Sequence, residues 1–139
     1  MNSSSALQWS RTRLAIRWAM IVLYVAAGIL HLYIPAPFLQ ITPRWVPFPE
    51  AVVVLTGIVE MLGAIGLMLH STRKAAGIGL ALYSVCVFPA NINHAMQDLT
   101  SADEGLGWWY HAPRLAVQPV LVWAALFCSS AMTGAVSKS

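Results

Sequence analysis

The chain has 139 residues, 58% of them hydrophobic and 9% charged, with a net charge of +3 and a mean hydropathy of +0.67. Soluble domains carry roughly 25% charged residues, so this composition excludes an ordinary water-soluble fold. The small positive charge is no nucleic-acid signal; its distribution along the chain reads as topology.

Four apolar runs, 18–34, 51–69, 75–90 and 115–132, approach or exceed the roughly 20 residues that cross ~30 Å of hydrocarbon. They predict an all-α, integral membrane four-helix bundle in one domain, with spans at about 14–34, 51–70, 75–95 and 113–133. Arg11, Arg13 and Arg17 precede the first run as they would in a leader. "VAAGILHLYI" nevertheless continues well past the only small-residue site, and three more spans follow, so the segment reads as a retained span. Near its end stands His31, roughly one turn below the membrane edge, with Tyr24, Ala27 and Gly28 on the same helix face.

The connection to the second span carries prolines at 35, 37, 43, 47 and 49. That density predicts an extended, stiff segment without helix, acting either as a rigid connector or as a lid. In the second span Glu60 lies ~15 Å from the start, near the midplane. Thr56, Gly57, Gly63 and Ala64 surround it at helical spacing, and small residues let membrane helices approach closely. Glu60 and His31 therefore point into the bundle. The short "HSTRK" turn makes spans two and three antiparallel neighbours and leaves His70 in solvent.

The third span ends in "VFPANINHAM", where Asn91 and His94 share a face one turn apart. Pro89 removes the donor for the Val85 carbonyl, and Pro119 does the same for Leu115. Freed carbonyls at membrane depth are tolerated where protein or a polar cavity satisfies them. The fourth span starts near Pro113, a residue suited to a first helical turn, and brings Arg114 and Gln118 at i and i+4. Trp45, Trp108, Trp109 and Tyr110 fall in the loops, where headgroup level favours amphipathic rings. Cys86 and Cys128 differ in depth by roughly 8 Å, beyond disulfide reach, and read as small buried hydrophobes. "MNSSSALQ" and "TGAVSKS" read as mobile tails.

Arg11, Arg13, Arg17, Arg73, Lys74 and Lys138 lie on one side of this topology. Arg44 and Arg114 lie on the other, with Glu50, Asp98, Asp103 and Glu104. The positive-inside rule puts both termini in the cytoplasm, and the expected location is a bacterial cytoplasmic (inner) membrane. Glu60, His31, Asn91, His94, Arg114 and Gln118 then converge in the outer half of the bundle. A charge at the bilayer centre costs at least ~2.5–3.5 kcal/mol, so Glu60 must be protonated, paired or solvated by a polar cavity. The cluster is either a packing network or a pocket open to the outer face, with Glu60 and His31 as candidate proton-handling residues and the others as candidate ligand contacts. His31, His94, His111 and Glu60 are chemically suitable metal ligands, but no pair has a recognised spacing, and the sequence assigns no metal site.

"GILHLYIPAPFLQITPRWVPFP", "GIVEMLGAIGLML", "RKAAGIGLALYSVCVFPANI" and "RLAVQPVLVWA" occur in that order through all four spans. In this the chain resembles the DoxX and DoxX-like family of small four-span membrane proteins, with "FPAN" as the most distinctive piece. The resemblance carries over His31, Glu60, Asn91, Arg114 and Gln118. Many members have histidine two positions after the asparagine; here Asn93 stands there, with His94 next. Some members look like membrane subunits of thiosulfate:quinone oxidoreductase, others belong to methylamine-utilisation or oxidative-stress systems, and an animal relative acts in receptor assembly.

The leading expectation is a membrane subunit of a redox system that binds a quinone or similar lipophile. The chain carries no flavin, haem or iron–sulfur motif, so a soluble or membrane partner protein would supply electrons. A stand-alone membrane enzyme acting on a lipophilic substrate through Glu60 and His31 predicts turnover without a partner. A non-catalytic assembly factor predicts that Glu60→Gln changes folding yield alone. A transporter fits poorly, because four short spans without an inverted repeat leave little room for alternating access.

Overall fold

A computed structural model of the chain describes residues 3–100 and 105–129, the side chains of 3–7 aside. Its elements are α1 (Ser3–Tyr33), α2 (Ala36–Ile41), α3 (Pro49–Met68), α4 (Arg73–Thr100) and α5 (Gly107–Cys128), with no strand among the described residues. α1 packs on α3, α3 on α4, α4 on α5 and α5 back on α1, while α2 touches α3 and α4. The expected all-α fold is therefore present.

Among the described residues, three helices are long and apolar enough to cross a membrane: Gln8–Tyr33, Pro49–Met68 and Arg73–Thr100. α5 is not among them, because His111, Arg114, Gln118 and two prolines interrupt its apolar character. Large side chains on these helices stay exposed, Val22 at 65% and Leu82 at 63%. Exposed large apolar side chains along helices of this length and hydropathy are consistent with a membrane protein. Asp103, Glu104, Lys138, the tail 133–139 and the expected end of the fourth span (130–133) lie outside the described residues.

The dry core lies toward the end that carries the 69–72 turn, built from Met20, Tyr24, Leu67, Leu80, Ala125 and Cys128 among others. Capping contacts close that end. The Arg17 guanidinium donates to the Cys128 carbonyl from Nε (3.1 Å) and Nη2 (2.9 Å), Arg73 Nε donates to Leu67 O (3.2 Å), and Thr72 Oγ1 donates to Gly66 O (3.1 Å). Cations beside the last carbonyls of a helix complement its dipole.

Close approach of α1 and α3 fixes the other end. A Cβ on Gly28 would stand 2.8 Å from Met61 Cγ and 2.9 Å from the Gly57 carbonyl; one on Gly57 would stand 2.9 Å from His31 Cβ. The small-residue faces expected around His31 and Glu60 thus do meet. Gly57→Ala is expected to lower stability by ~1–2 kcal/mol, overpacking outweighing the helix propensity that alanine gains. Gly79→Ala is the comparison, since nothing lies within 4 Å of a Cβ there. Thermal unfolding in detergent checks the pair: equal midpoints would contradict the close crossing.

Four expectations are corrected. The first connection is not wholly extended, because Pro35 caps α2 and Pro37 lies in its first turn, where a missing N–H leaves nothing unbonded. Pro113 does not open the fourth helix; that helix starts six residues earlier, at Gly107 (φ +66°), and takes Trp108–Tyr110 out of the loop. Cys86 is exposed rather than buried, whereas Cys128 is buried as expected. The tail expected at the N-terminus is helical from Ser3.

Candidate functional site

Opposite the dry core the helices part around a cavity of about 510 Å³, lined by apolar side chains such as Leu23, Val53, Val87 and Leu121 and by a smaller set of polar ones. His31, Glu60, Asn91, Arg114 and Gln118 all border it. His94 does not line it and reaches it only through Arg114. Small-molecule sites usually have this make-up, a mostly apolar cleft of roughly 300–1,000 Å³ with a few placed polar groups.

The polar groups form three connected sets. In the first, Glu60 is 4% exposed and accepts the Tyr83 hydroxyl at Oε1 (2.7 Å). His31 Nδ1 lies 2.9 Å from the Ala27 carbonyl and 2.9 Å from Glu60 Oε2. A carbonyl can only accept, so the bond to Ala27 puts the proton on Nδ1. Glu60 Oε2 is close to that proton but has no aligned hydrogen-bond donor. The neutral ring then keeps Nε2 as an acceptor. Phe38 of α2 stacks on the imidazole with ring centroids 3.7 Å apart, and Asn93 Nδ2 holds α2 in place by donating to Ile41 O (3.1 Å). The residue that departs from the DoxX-like pattern thus anchors the short helix over His31.

The second set links α4 to α5 beside Pro89. Gln118 Nε2 donates to the Ser84 carbonyl (2.6 Å), and Gln118 Oε1 accepts from Asn91 Nδ2 (3.0 Å). Ser84 Oγ donates to Leu80 O (2.9 Å), so the Tyr24 hydroxyl 2.8 Å away must be the donor in their contact. The side-chain donor beside Pro89 goes to the carbonyl of Ser84, the neighbour of Val85, the residue whose carbonyl the proline frees.

Arg114 heads the third set. Its Nη1 donates to His94 Nδ1 and its guanidinium lies over the Tyr110 ring, 5.8 Å from the centroid. Among the described residues it makes no ion pair with Glu60. Beyond His94, Asp98 Oδ2 lies 2.9 Å from Nε2 of the fully buried His111 and accepts the Gly107 N–H at 3.0 Å.

Sequence reading missed Tyr83, Ser84, Asp98 and His111 as members of these sets. The i, i+4 pair His94 and Asp98 was a usable signal. Tyr83 and Ser84 had none, buried in a run of apolar residues whose facing partner is known only after packing.

Among the described residues, the fold and site define an all-helical protein with three helices long and apolar enough to cross a membrane and a polar-edged cavity among its helices. The chain belongs to the family described as Domain of unknown function (DUF8561), whose model matches residues 7–129. No curated protein and no solved structure matches it.

Proposed function

We propose that this protein is a four-span, DoxX-like membrane protein, with both termini in the cytoplasm, that binds a quinone or a similar lipophile in the outer half of its bundle as the membrane subunit of a redox system. The observation that carries the reading is the cavity: about 510 Å³, mainly apolar, and edged on one side by the His31–Glu60–Tyr83 set. The apolar lining suits a hydrocarbon or isoprenoid tail, and the polar edge suits a head with hydrogen-bonding oxygens. Glu60 and His31 are the groups able to exchange the protons that accompany reduction. Arg114, also at the edge, is a second donor toward a carbonyl oxygen. Electrons come from a partner protein, and the resemblance to membrane subunits of quinone-linked enzymes supports that assignment. The bacterial inner membrane is the corresponding location.

The direct contact between Glu60 and His31 also suits a stand-alone enzyme that moves a proton on a lipophilic substrate. The two readings separate on turnover by the purified protein alone.

The test is mass spectrometry of small lipophiles that co-purify with the detergent-solubilised chain, with Arg114→Ala as the comparison at equal folding quality. A quinone or other defined molecule enriched in wild type and reduced in the variant supports the site. Bulk phospholipid alone in both preparations would remove the reading.

A further inference from the structure

At the same end of the molecule, outside the cavity lining, His94, Asp98 and His111 stand together. One potential ligand atom from each lies within 4.8 Å of the other two. We infer that these three side chains form a binding site for a divalent transition cation such as zinc, in which the cation takes over the position on His94 now held by Arg114. The inference does not rest on the lipophile reading, although Arg114 also borders the cavity.

Three observations carry it. The donor set is two imidazoles and a carboxylate, the combination that holds zinc while leaving a coordination position open. His111 is fully buried, with Nε2 directed at the Asp98 carboxylate and Nδ1 without a hydrogen-bond partner. With the Nε2 proton given to Asp98, the buried Nδ1 keeps an unused lone pair. Buried polar atoms without partners are rare, and this one belongs to a ring that packs against a second imidazole, 4.9 Å between centroids, and bonds a carboxylate. Finally, the His94 ring is already oriented by a cationic donor, the Arg114 guanidinium on Nδ1.

That last contact sets the chemistry of occupation. While Arg114 donates to Nδ1, the neutral His94 ring must carry its proton on Nε2, and neither nitrogen offers a free lone pair. A cation can bind His94 only when Arg114 withdraws, whichever nitrogen it takes. The second positive charge also favours withdrawal. Arg114 and the cation therefore compete for one imidazole. Backbone geometry keeps Asp98 in place meanwhile, since the Gly107 N–H donates to it and the Gly105 backbone lies against its carboxylate, with no room there for a Cβ.

The experiment is zinc binding to the full-length, detergent-solubilised, chelator-stripped protein, read by metal analysis after desalting and by direct titration. Wild type is expected to retain one zinc per chain, with Asp98→Asn and His94→Gln each weakening binding by roughly 10–100-fold, as loss of one of three ligands should. Asp98→Asn keeps an oxygen for Gly107, so its fold does not depend on the metal. His70→Gln, in the exposed turn 69–72 at the other end, is expected to bind as wild type does. Arg114→Gln is expected to tighten binding by roughly tenfold, by removing a competing cation. Thermal unfolding of wild type with and without zinc needs no variant and is expected to show a rise. No zinc retention and no rise in wild type would overturn the site. Retention that is equal in wild type, Asp98→Asn and His94→Gln would also overturn it, as adventitious zinc.

Discussion

Glu60→Gln is expected to reduce the bound lipophile at least tenfold while the helices stay folded. Glutamine fills the same volume and can still pair with the Tyr83 hydroxyl, now 2.7 Å from Oε1. What it removes is the ionisable carboxyl group 2.9 Å from His31 Nδ1. Because Nδ1–H is committed to the Ala27 carbonyl, the imidazole can donate from Nε2 to a ligand oxygen only when it holds a second proton. Glu60 is the acidic group in contact with that ring. Without it His31 meets a quinone-type oxygen as an acceptor facing an acceptor. A hydrogen bond to a charged group contributes about 1.5–3 kcal/mol, and each 1.4 kcal/mol is a factor of ten in affinity, so the loss should be about 10–100-fold. Equilibrium binding of the co-purified molecule, measured on variants with wild-type thermal midpoints, checks this. Unchanged affinity would mean that Glu60 and His31 only hold α1 against α3. His31→Ala should mimic the loss if the ring is the contact.

The pairing of His31 with Glu60 was legible because both residues sit among small neighbours at helical spacing. Two helix faces that each lack side-chain bulk around one polar group have little choice but to meet, and Gly28 against Gly57 is where they do. Position along each helix was equally readable from counting, and all five groups carried over by the resemblance border one cavity. Rotation was not readable. Depth placed Arg114 level with the other polar groups, yet the turn of α5 gives its guanidinium to His94 rather than to Glu60. The start of α5 at Gly107 moved the aromatic stretch into the helix and, with it, His111 against Asp98. Proline counting failed at α2 for a related reason: a proline forbids helix only where its N–H would have bonded, and at Pro35 and Pro37 it would not.

Gln118→Leu is the substitution expected to cost the most stability, about 1–3 kcal/mol. Leucine nearly conserves the volume, so the loss measures polar pairing. Gln118 is 6% exposed and bridges two helices, giving its N–H to the Ser84 carbonyl and its oxygen to Asn91. A single hydrogen bond between membrane helices averages only ~0.6 kcal/mol, because unfolded segments in the bilayer find other partners. Two bonds would then contribute little more than 1 kcal/mol. The Ser84 carbonyl raises the estimate: Ser84 is 1% exposed, its carbonyl keeps at most its helical partner once the Gln118 amide is gone, and under-paired buried polar groups cost up to about 1–3 kcal/mol. Asn91→Leu leaves that carbonyl bonded and should cost less, about 1 kcal/mol or under. The double variant should be scarcely worse than Gln118→Leu alone, because the Asn91 bond is already gone once Gln118 is replaced. Equilibrium unfolding of the three variants in one detergent decides it. Additive losses would show that Asn91 and Gln118 stabilise the helices separately, and Asn91 would then be free to turn its amide toward a ligand in the cavity.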